Sequence, residues 1–381
     1  MIKKTFCFIQ QNHISERGGG AEVQALYLSQ QLAKSGFIVN YICRSISSQK
    51  AFTKSIIDDV VVHWLPNKPL HSIANLRLIY KTLVKIDPDY IVERMSSSFG
   101  LSAILYKNDH QKFIWICTDN NAPRRFKNIR NSFQKLNFAK IVYNFPASLS
   151  SDFARQIAIK YADVAFTQNN VQENILLQQF GKKSQRMVSG HPRPEVVIQP
   201  EKRFHLRTVL WCGNLGSHKR PELFIELARI FEKSDLKFLM VGGHSDVSYC
   251  KSLFKNKPSN LDLTGQVSFG KALEYFDEAA ILINTSTSEG FSNTYIQAWL
   301  RGIPTIVMGA DPDNVIEKNN LGYDIDTIEA AAKKISLLLG EEDAYSAISK
   351  NVQSYANLNH TIEVMVENFL RQINENSALP K

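Results

Sequence analysis

No uninterrupted apolar stretch in this 381-residue chain approaches the roughly 20 residues that span a bilayer, so a transmembrane helix is not expected. Cysteine is scarce. Cys7, Cys43, Cys117, Cys212 and Cys250 are scattered, with no Cys-x-x-Cys pair. Four of the five sit within or at the ends of apolar runs, the pattern of reduced core thiols in a cytoplasmic protein. There is no His-Glu-x-x-His and the nine histidines are dispersed, so metal chemistry is not expected. Asp311-Pro-Asp313 has Asp-x-Asp spacing but reads as a turn with Pro fixing the backbone. No Gly-x-x-x-x-Gly-Lys-Ser/Thr loop, no Ser/His/Asp order and no low-complexity tract stands out. Lys3 and Lys4 precede an apolar run, Thr5–Ile9, that reads as a strand rather than a signal-peptide core.

What is present is a globular composition, 44% hydrophobic, on a chain too long for one ordinary core. The net charge of +9 is unevenly placed. Residues 1–200 hold 26 Lys and Arg against 13 Asp and Glu, and residues 201–381 hold 19 against 23. A basic half beside an acidic one points to two domains with different partners, the basic one facing something anionic. Strand candidates are Thr5–Gln10, Phe37–Cys43, Val60–Leu65, Tyr90–Glu93, Lys112–Cys117 and Asp163–Thr167, then Thr208–Cys212, Lys237–Val241, Asn260–Leu263, Ala279–Ile283 and Thr305–Met308. Amphipathic helical stretches separate most of them, for example Ala21–Ser35 closed by Gly36, which points to βαβ units and parallel sheets. Residues 190–200 concentrate three prolines and read as a linker. The expected architecture is α/β, with two Rossmann-like domains binding ligands at the carboxyl ends of their sheets, hence in a central cleft.

The densest signal is residues 284–304. An apolar run, Ala279–Ile283, is followed by a polar loop with Glu289 and Gly290, then by a helix opened by Asn293 and Thr294 that presents Ile296 and Leu300 to a core. A helix start collects unpaired N–H groups and suits a phosphate, while the Glu289 carboxylate suits hydroxyls. A nucleotide sugar carries both. An ordinary capped strand-loop-helix connection is the plain alternative. A second element, Gly213-Asn214 after a strand and Lys219-Arg220 before Pro221, puts cations at a helix mouth, where they neutralise a departing diphosphate or are simply solvated. In the first half, Gly18-Gly19-Gly20 after a strand lets backbone approach a ligand closely and take strained turns, or merely packs a helix on a sheet.

Glu289-Gly290-Phe291 and the position eight residues on, here Gln297, resemble the signature of family-4-type glycosyltransferases of the GT-B fold. Gly213 and Lys219 match that family's diphosphate clamp, with Asn214 in place of its Arg, and Lys219-Arg220-Pro221-Glu222 resembles a bacterial sub-branch. The resemblance implies a retaining, metal-independent transfer from a UDP- or GDP-sugar to a saccharide or lipid-linked acceptor, in cell-surface polysaccharide or glycolipid synthesis. It needs no cofactor beyond the donor. It implies that Glu289 and Gly290, Phe291, Ser292, Asn293 and Thr294 hold the sugar and diphosphate, that Gln297 meets the ribose, and that Lys219, with Arg220 as substitute for the missing Arg, stabilises the leaving group. Gly19 and Gly20 would close over the phosphates. Gly242, Gly243, Gly265 and Val267 would line the nucleotide pocket. Thr118-Asp119 stands where the family often has His-Asp, which makes Asp119 a candidate for sugar or acceptor contact. Arg94 is expected to face the cleft or to pair with Glu93 or Asp119. The implied domains are 1–190 for the acceptor, 191–200 as linker, 201–350 for the nucleotide sugar, and a helix over 351–381 packing back on the first.

Residues 124–140 carry six cations and no acid, with Phe126, Ile129, Phe133 and Leu136 on one helical face. Such a helix lies on anionic lipid, at the inner face of the membrane, or buries its stripe in the core. Nucleic acid is not an expected partner, since no aromatic-basic platform or helix-turn-helix pattern accompanies the charge. The rival functions are a nucleotide-sugar epimerase or hydrolase of the same fold, and a non-catalytic nucleotide-sugar-binding protein.

Overall fold

The computed structural model describes residues 3–16, 19–67, 73–95, 97–134, 138–243 and 247–378. The chain divides into two compact units: Met1–Gly190 with Ile362–Lys381, and His191–Thr361.

The first unit runs β1 (Thr5–Ile9), α1 (Gly20–Lys34), β2 (Ile38–Arg44), β3 (Lys54–Ile57), β4 (Val60–Leu65), α2 (Ile73–Ile86), β5 (Tyr90–Glu93), α3 (Gly100–Tyr106), β6 (Lys112–Ile116), α4 (Lys127–Gln134), α5 (Phe138–Tyr161), β7 (Val164–Thr167), α6 (Asn170–Phe180) and β8 (Gln185–Arg186). Its sheet has the order β3-β4-β2-β1-β5-β6-β7-β8. Every pairing is parallel except β3 on β4. Alternation along β1 sends Cys7 and Ile9 into a core with Ile91, Phe113 and Trp115, closed by Ile79 and Leu83 of α2 and Ala158 and Ile159 of α5. On the other side Phe6 stacks on Tyr90 at 4.6 Å between ring centroids. Phe369, from a helix late in the chain, lies 6.2 Å from Phe6 and 5.5 Å from Phe166.

The second unit runs α7 (Pro200–Phe204), β9 (Thr208–Cys212), α8 (Pro221–Ile230), β10 (Lys237–Val241), α9 (Val247–Leu253), β11 (Leu261–Leu263), α10 (Phe269–Asp277), β12 (Ile281–Asn284), α11 (Asn293–Trp299), β13 (Thr305–Val307), α12 (Val315–Lys318), β14 (Gly322–Asp324), α13 (Ile328–Leu338) and α14 (Glu342–Asn359). The sheet order is β11-β10-β9-β12-β13-β14, parallel throughout. Both faces are covered, as a parallel sheet requires. Val209, Trp211, Phe238, Met240, Ile281 and Ile283 pack toward Phe224, Leu227 and Ile335, while Leu210, Leu282 and Val307 pack toward Ile296, Trp299 and Val352. The Pro-rich stretch is counted with this unit, and Arg193 Nε donates to Asn357 Oδ1 at 3.1 Å. α14 runs through residue 351 without a break, and α15 (Ile362–Ala378) belongs to the first unit.

Helix ends follow local chemistry. Pro221 opens α8 at the first helical position, where a missing N–H costs nothing. Asn169 and Thr327 cap α6 and α13 by accepting from Gln172 N and Ala330 N. Gly36, at φ +92°, follows α1. The doubly wound α/β class and most strand positions are those the sequence predicts. Three strands are not. β3 is a short edge strand with exposed alternate positions, β8 has two residues and β14 three, too little pattern for periodicity to register. Cys7, Cys43 and Cys117 are buried free thiols, and burial raises the pKa of each. Among the described residues no helix is long and apolar enough to cross a membrane.

Candidate functional site

Numbered from β9, the second sheet has the order 3-2-1-4-5-6, so the strand order reverses between β9 and β12. At such a switch point the loops leaving two neighbouring strands turn to opposite faces and open a crevice at their carboxyl ends. The loops concerned are 213–220 and 285–292, the two segments singled out by sequence.

They are tied together. Lys219 Nζ lies 2.5 Å from Glu289 Oε1, with side chains 20% and 13% exposed. Ser286 Oγ donates to the same oxygen at 2.7 Å, and Asn284 Nδ2 lies 3.3 Å from it. Asn284 Oδ1 in turn accepts from Ser286 N at 2.8 Å. Thr285 Oγ1 donates to the Lys219 carbonyl at 2.5 Å and accepts from Trp211 Nε1 at 3.0 Å. Thr287 N donates to the His218 carbonyl at 2.9 Å. A cation and a carboxylate are thereby fixed at the switch point. Burial and then the Lys219 ammonium hold the His218 imidazole below its ordinary pKa, against the pull of Glu289. Burial pushes the Cys212 thiol up to about 12 although Lys219 opposes it.

Arg220 does something other than expected. Its backbone is left-handed, φ +45° and ψ +54°. Its Nε donates to the Thr285 carbonyl at 2.6 Å, and Nη2 donates to the carbonyls of Ser286, at 3.3 Å, and Met308. The guanidinium therefore ties the ends of β12 and β13, and the expected substitution for the cation missing at Asn214 is not what its contacts describe. Asn214 itself is exposed.

The glycines close the floor. Gly213 N donates to the Val241 carbonyl at 3.0 Å and Gly242 N to the Gly265 carbonyl at 3.2 Å. A Cβ on Gly242, at φ +137°, would meet Gly213 O at 1.8 Å, and one on Gly243 would meet Gln266 at 2.9 Å. Gly265 is left-handed at φ +67° with open space around it. Val267 is half-buried and packs on the core of the β12 face.

Gly290 leads into Phe291, whose ring lies 4.9 Å from His360 and 6.0 Å from Trp299, so this half-buried side chain packs against the unit's core. Ser292 caps α11 without a side-chain bond to its backbone, and its hydroxyl pairs with Thr294 at 2.8 Å. Asn293 is the first helical residue and half-buried. Gln297, one turn on, is buried.

In the first unit, Arg17 and Gly18 lie outside the described residues. Gly19 is extended, φ −138°, so no strained turn requires glycine there. Its N–H donates to Glu22 Oε2 at 3.0 Å, and Gly20 begins α1. Asp119 stands in the loop after β6: it accepts from Asn121 N at 2.8 Å and pairs with Lys127 at 3.1 Å, its side chain 48% exposed. Burial would raise its pKa, but Lys127 and these hydrogen bonds outweigh it and hold the carboxyl below the usual range. Arg94 is 1% exposed and donates to Ser189 Oγ at 3.1 Å; the alternative pairings with Glu93 and Asp119 do not form. The basic stretch is not one helix. Residues 124–126 form a turn with Phe126 at φ +53°, and α4 follows from Lys127. Phe126 and Phe133 are exposed and Ile129 is half-buried; residues 135–137, Leu136 among them, lie outside the described residues.

The family described as Glycosyl transferases group 1 matches residues 206–341, and that described as Glycosyltransferase Family 4 matches residues 18–159. The chain is a family-4-type glycosyltransferase of the GT-B fold. No curated protein matches its sequence. Among solved structures it is similar to sucrose-phosphate synthase from Thermosynechococcus elongatus (15% identity, 99% of this chain and 100% of that one, TM-score 0.76). It is also similar to HepE from Anabaena in complex with UDP and glucose (14%, 98% and 100%, 0.71) and to a glycosyltransferase from Rickettsia africae (19%, 99% and 100%, 0.68). At these identities the likeness is one of fold.

Sequence reasoning missed Asn284 and Ser286 in this glycosyltransferase, although both stand where β12 ends. The available signal was position: polar residues buried at a strand's carboxyl end, 6% and 1% exposed, are placed to work on a neighbour.

Proposed function

We propose that this glycosyltransferase moves a sugar from UDP- or GDP-sugar to an acceptor hydroxyl with retention of configuration and without a metal ion, in synthesis of a cell-surface polysaccharide or glycolipid. The observation that carries the reading is the Lys219–Glu289 pair at the switch point of the second sheet. Departure of a nucleoside diphosphate builds negative charge on its phosphate, and a preplaced ammonium stabilises that charge more in the transition state than before it. Glu289, a hydrogen-bond acceptor held in a fixed position, suits the hydroxyls of the sugar. Gly213, Gly242, Gly243 and Gly265 suit close backbone approach of the nucleotide. Gln297 meets the ribose as an amide that both donates and accepts. Gly19 and Gly20 close over the phosphates, and Asp119 contacts sugar or acceptor. With no protein nucleophile in this arrangement, the acceptor attacks on the face the leaving group departs from and passes its proton to the leaving phosphate. HepE has been solved with UDP-glucose, which supports a UDP-sugar as the first donor to try.

Thermal-shift screening against UDP-, GDP- and ADP-sugars tests the donor, and the anomeric configuration of the product tests retention. Conversion of donor without acceptor would instead indicate an epimerase or hydrolase. Tight donor binding without transfer to any acceptor extract would indicate a non-catalytic binder. The exposed Phe126 and Phe133 beside Arg124, Arg125, Lys127 and Arg130 support docking on the anionic inner face of the membrane, where a lipid-linked acceptor would be met. Co-sedimentation with anionic vesicles at low salt tests this, and indifference to them would remove the membrane from the proposal.

A further inference from the structure

At the carboxyl edge of the first sheet, polar side chains from four strand ends gather, and three of them keep polar atoms that the others do not satisfy. β1 and β5 pair in parallel up to Phe8 opposite Val92. Two residues on, Gln10 and Arg94 therefore stand side by side on the same face, at this sheet's own switch point. Both are buried, 0% and 1% exposed. Gln168 follows β7 and Ser189 follows β8; Arg94 Nη2 and Gln168 Nε2 both donate to Ser189 Oγ, at 3.1 and 2.9 Å. Among the described residues, Arg94 Nε and Nη1, both ends of the Gln10 amide, and Gln168 Oε1 have no hydrogen-bond partner. Among the described residues no carboxylate forms an ion pair with Arg94. Its sequence neighbour Glu93 points to the other face, where its carboxyl accepts from Ser97 Oγ at 2.6 Å.

A buried guanidinium with two idle donor atoms is costly, which favours a partner that accepts from them. The idle donors lie on two different edges of one planar group, with Nη2 between them, so each can donate to an oxygen of a carboxylate or a phosphate. The neighbouring amides of Gln10 and Gln168 add a donor and acceptors suited to the hydroxyls or the protonated oxygen of the same ligand. Because the guanidinium is already out of water in the free protein, an arriving anion meets a preorganised partner.

We propose that Gln10, Arg94, Gln168 and Ser189 form an anion-recognition site in the first unit that takes a phosphate or carboxylate borne by the acceptor. The naming of the acceptor rests on the glycosyl-transfer reading; the anion site does not.

The test is calorimetric titration and thermal shift of the full chain with inorganic phosphate, glucuronate and neutral glucose at constant ionic strength. The variants are Arg94→Gln, Arg94→Lys, Gln10→Leu and Lys219→Ala. The expected result is saturable binding of phosphate, glucuronate or both, but not glucose, in the wild type and in Lys219→Ala, which removes the cation of the second unit. Arg94→Gln weakens binding by at least about tenfold, and Arg94→Lys recovers part of it. Phosphate alone points to a phosphorylated acceptor, glucuronate alone to an acidic sugar. Should Arg94→Gln fail to fold, Gln10→Leu decides. Weaker anion binding supports the site, and unchanged binding with higher stability overturns it. No anion binding in the wild type, or equal binding in Arg94→Gln, also overturns it. UDP-sugar binding measured on the same samples keeps the two readings apart, since its absence would refute the donor site and leave the anion result standing.

Discussion

Lys219 and Glu289 are 70 residues apart in sequence, and Nζ and Oε1 are 2.5 Å apart in space. The carboxylate that would receive a sugar thus also anchors the ammonium that would receive its leaving group. Ser286 reaches the same carboxylate oxygen, so the pair is braced from the strand end as well.

Lys219→Ala should lower kcat by about 100- to 1,000-fold while changing donor affinity by much less. Steady-state kinetics beside calorimetric donor binding checks this. Equal losses in both would remove the leaving-group role and leave only a binding contact.

Arg220 makes a separable prediction. Its guanidinium serves three carbonyls, so Arg220→Ala should cost about 2–4 kcal/mol of stability, read as a lower denaturation midpoint with an unchanged m-value. A stable variant that has lost donor binding would instead assign Arg220 to the diphosphate.

Two glycines should respond differently to the same substitution. Gly242→Ala drives a Cβ to 1.8 Å from the Gly213 carbonyl oxygen, which only backbone displacement relieves, and should abolish donor binding or folding of the second unit. Gly265→Ala has open space around it and should cost only the left-handed strain, about 1–2 kcal/mol. Similar losses at the two positions would contradict the packing described.

Glu93 supplies a pH dependence. Burial raises its carboxyl from 4.5 to about 8, despite the opposing hydrogen bonds from Ser97. The folded state therefore binds this proton more tightly than the unfolded state. Stability from this group is full below pH 4.5 and is lost as pH rises toward about 8, with a slope of at most about 1.4 kcal/mol per pH unit. Glu93→Gln should flatten that slope in urea titrations across the interval. An unchanged slope would place the proton elsewhere.

Chelation offers a last check on the proposal. Activity should survive excess EDTA, because Asp311, the nearest thing to a metal motif in the sequence, has its carboxylate engaged by the Ile316 and Glu317 backbone N–H groups. Loss of activity restored by a divalent cation would refute metal independence.

The doubly wound class was legible because β1, β4, β5, β9 and β10 are short, continuous apolar runs separated by helical stretches. The loops 213–220 and 285–292 were legible because glycine, Lys219, Glu289 and Pro221 each announce a local backbone demand. Partners were less so. Sequence placed Arg220 at a helix mouth, but only three-dimensional proximity shows that the carbonyls of Thr285, Ser286 and Met308 claim it. Phe291 sits inside a binding signature, yet its surroundings, Trp299 and His360, come from other helical turns and decide that it packs. That Arg94 meets Ser189 rather than a carboxylate is likewise invisible in one dimension, since it depends on what the ends of β1, β7 and β8 bring beside it.

α15 sets the order in which this chain can be finished on the ribosome. Phe369 completes the aromatic packing around Phe6 and Phe166, but the ribosome must first make all of His191–Thr361. At ~5–20 residues per second, that interval is on the order of ten to thirty seconds. Throughout it, the part of the earliest-made sheet around Phe6 and Phe166 lacks its closing helix, which makes the nascent chain a client for whatever shields hydrophobic surface during translation.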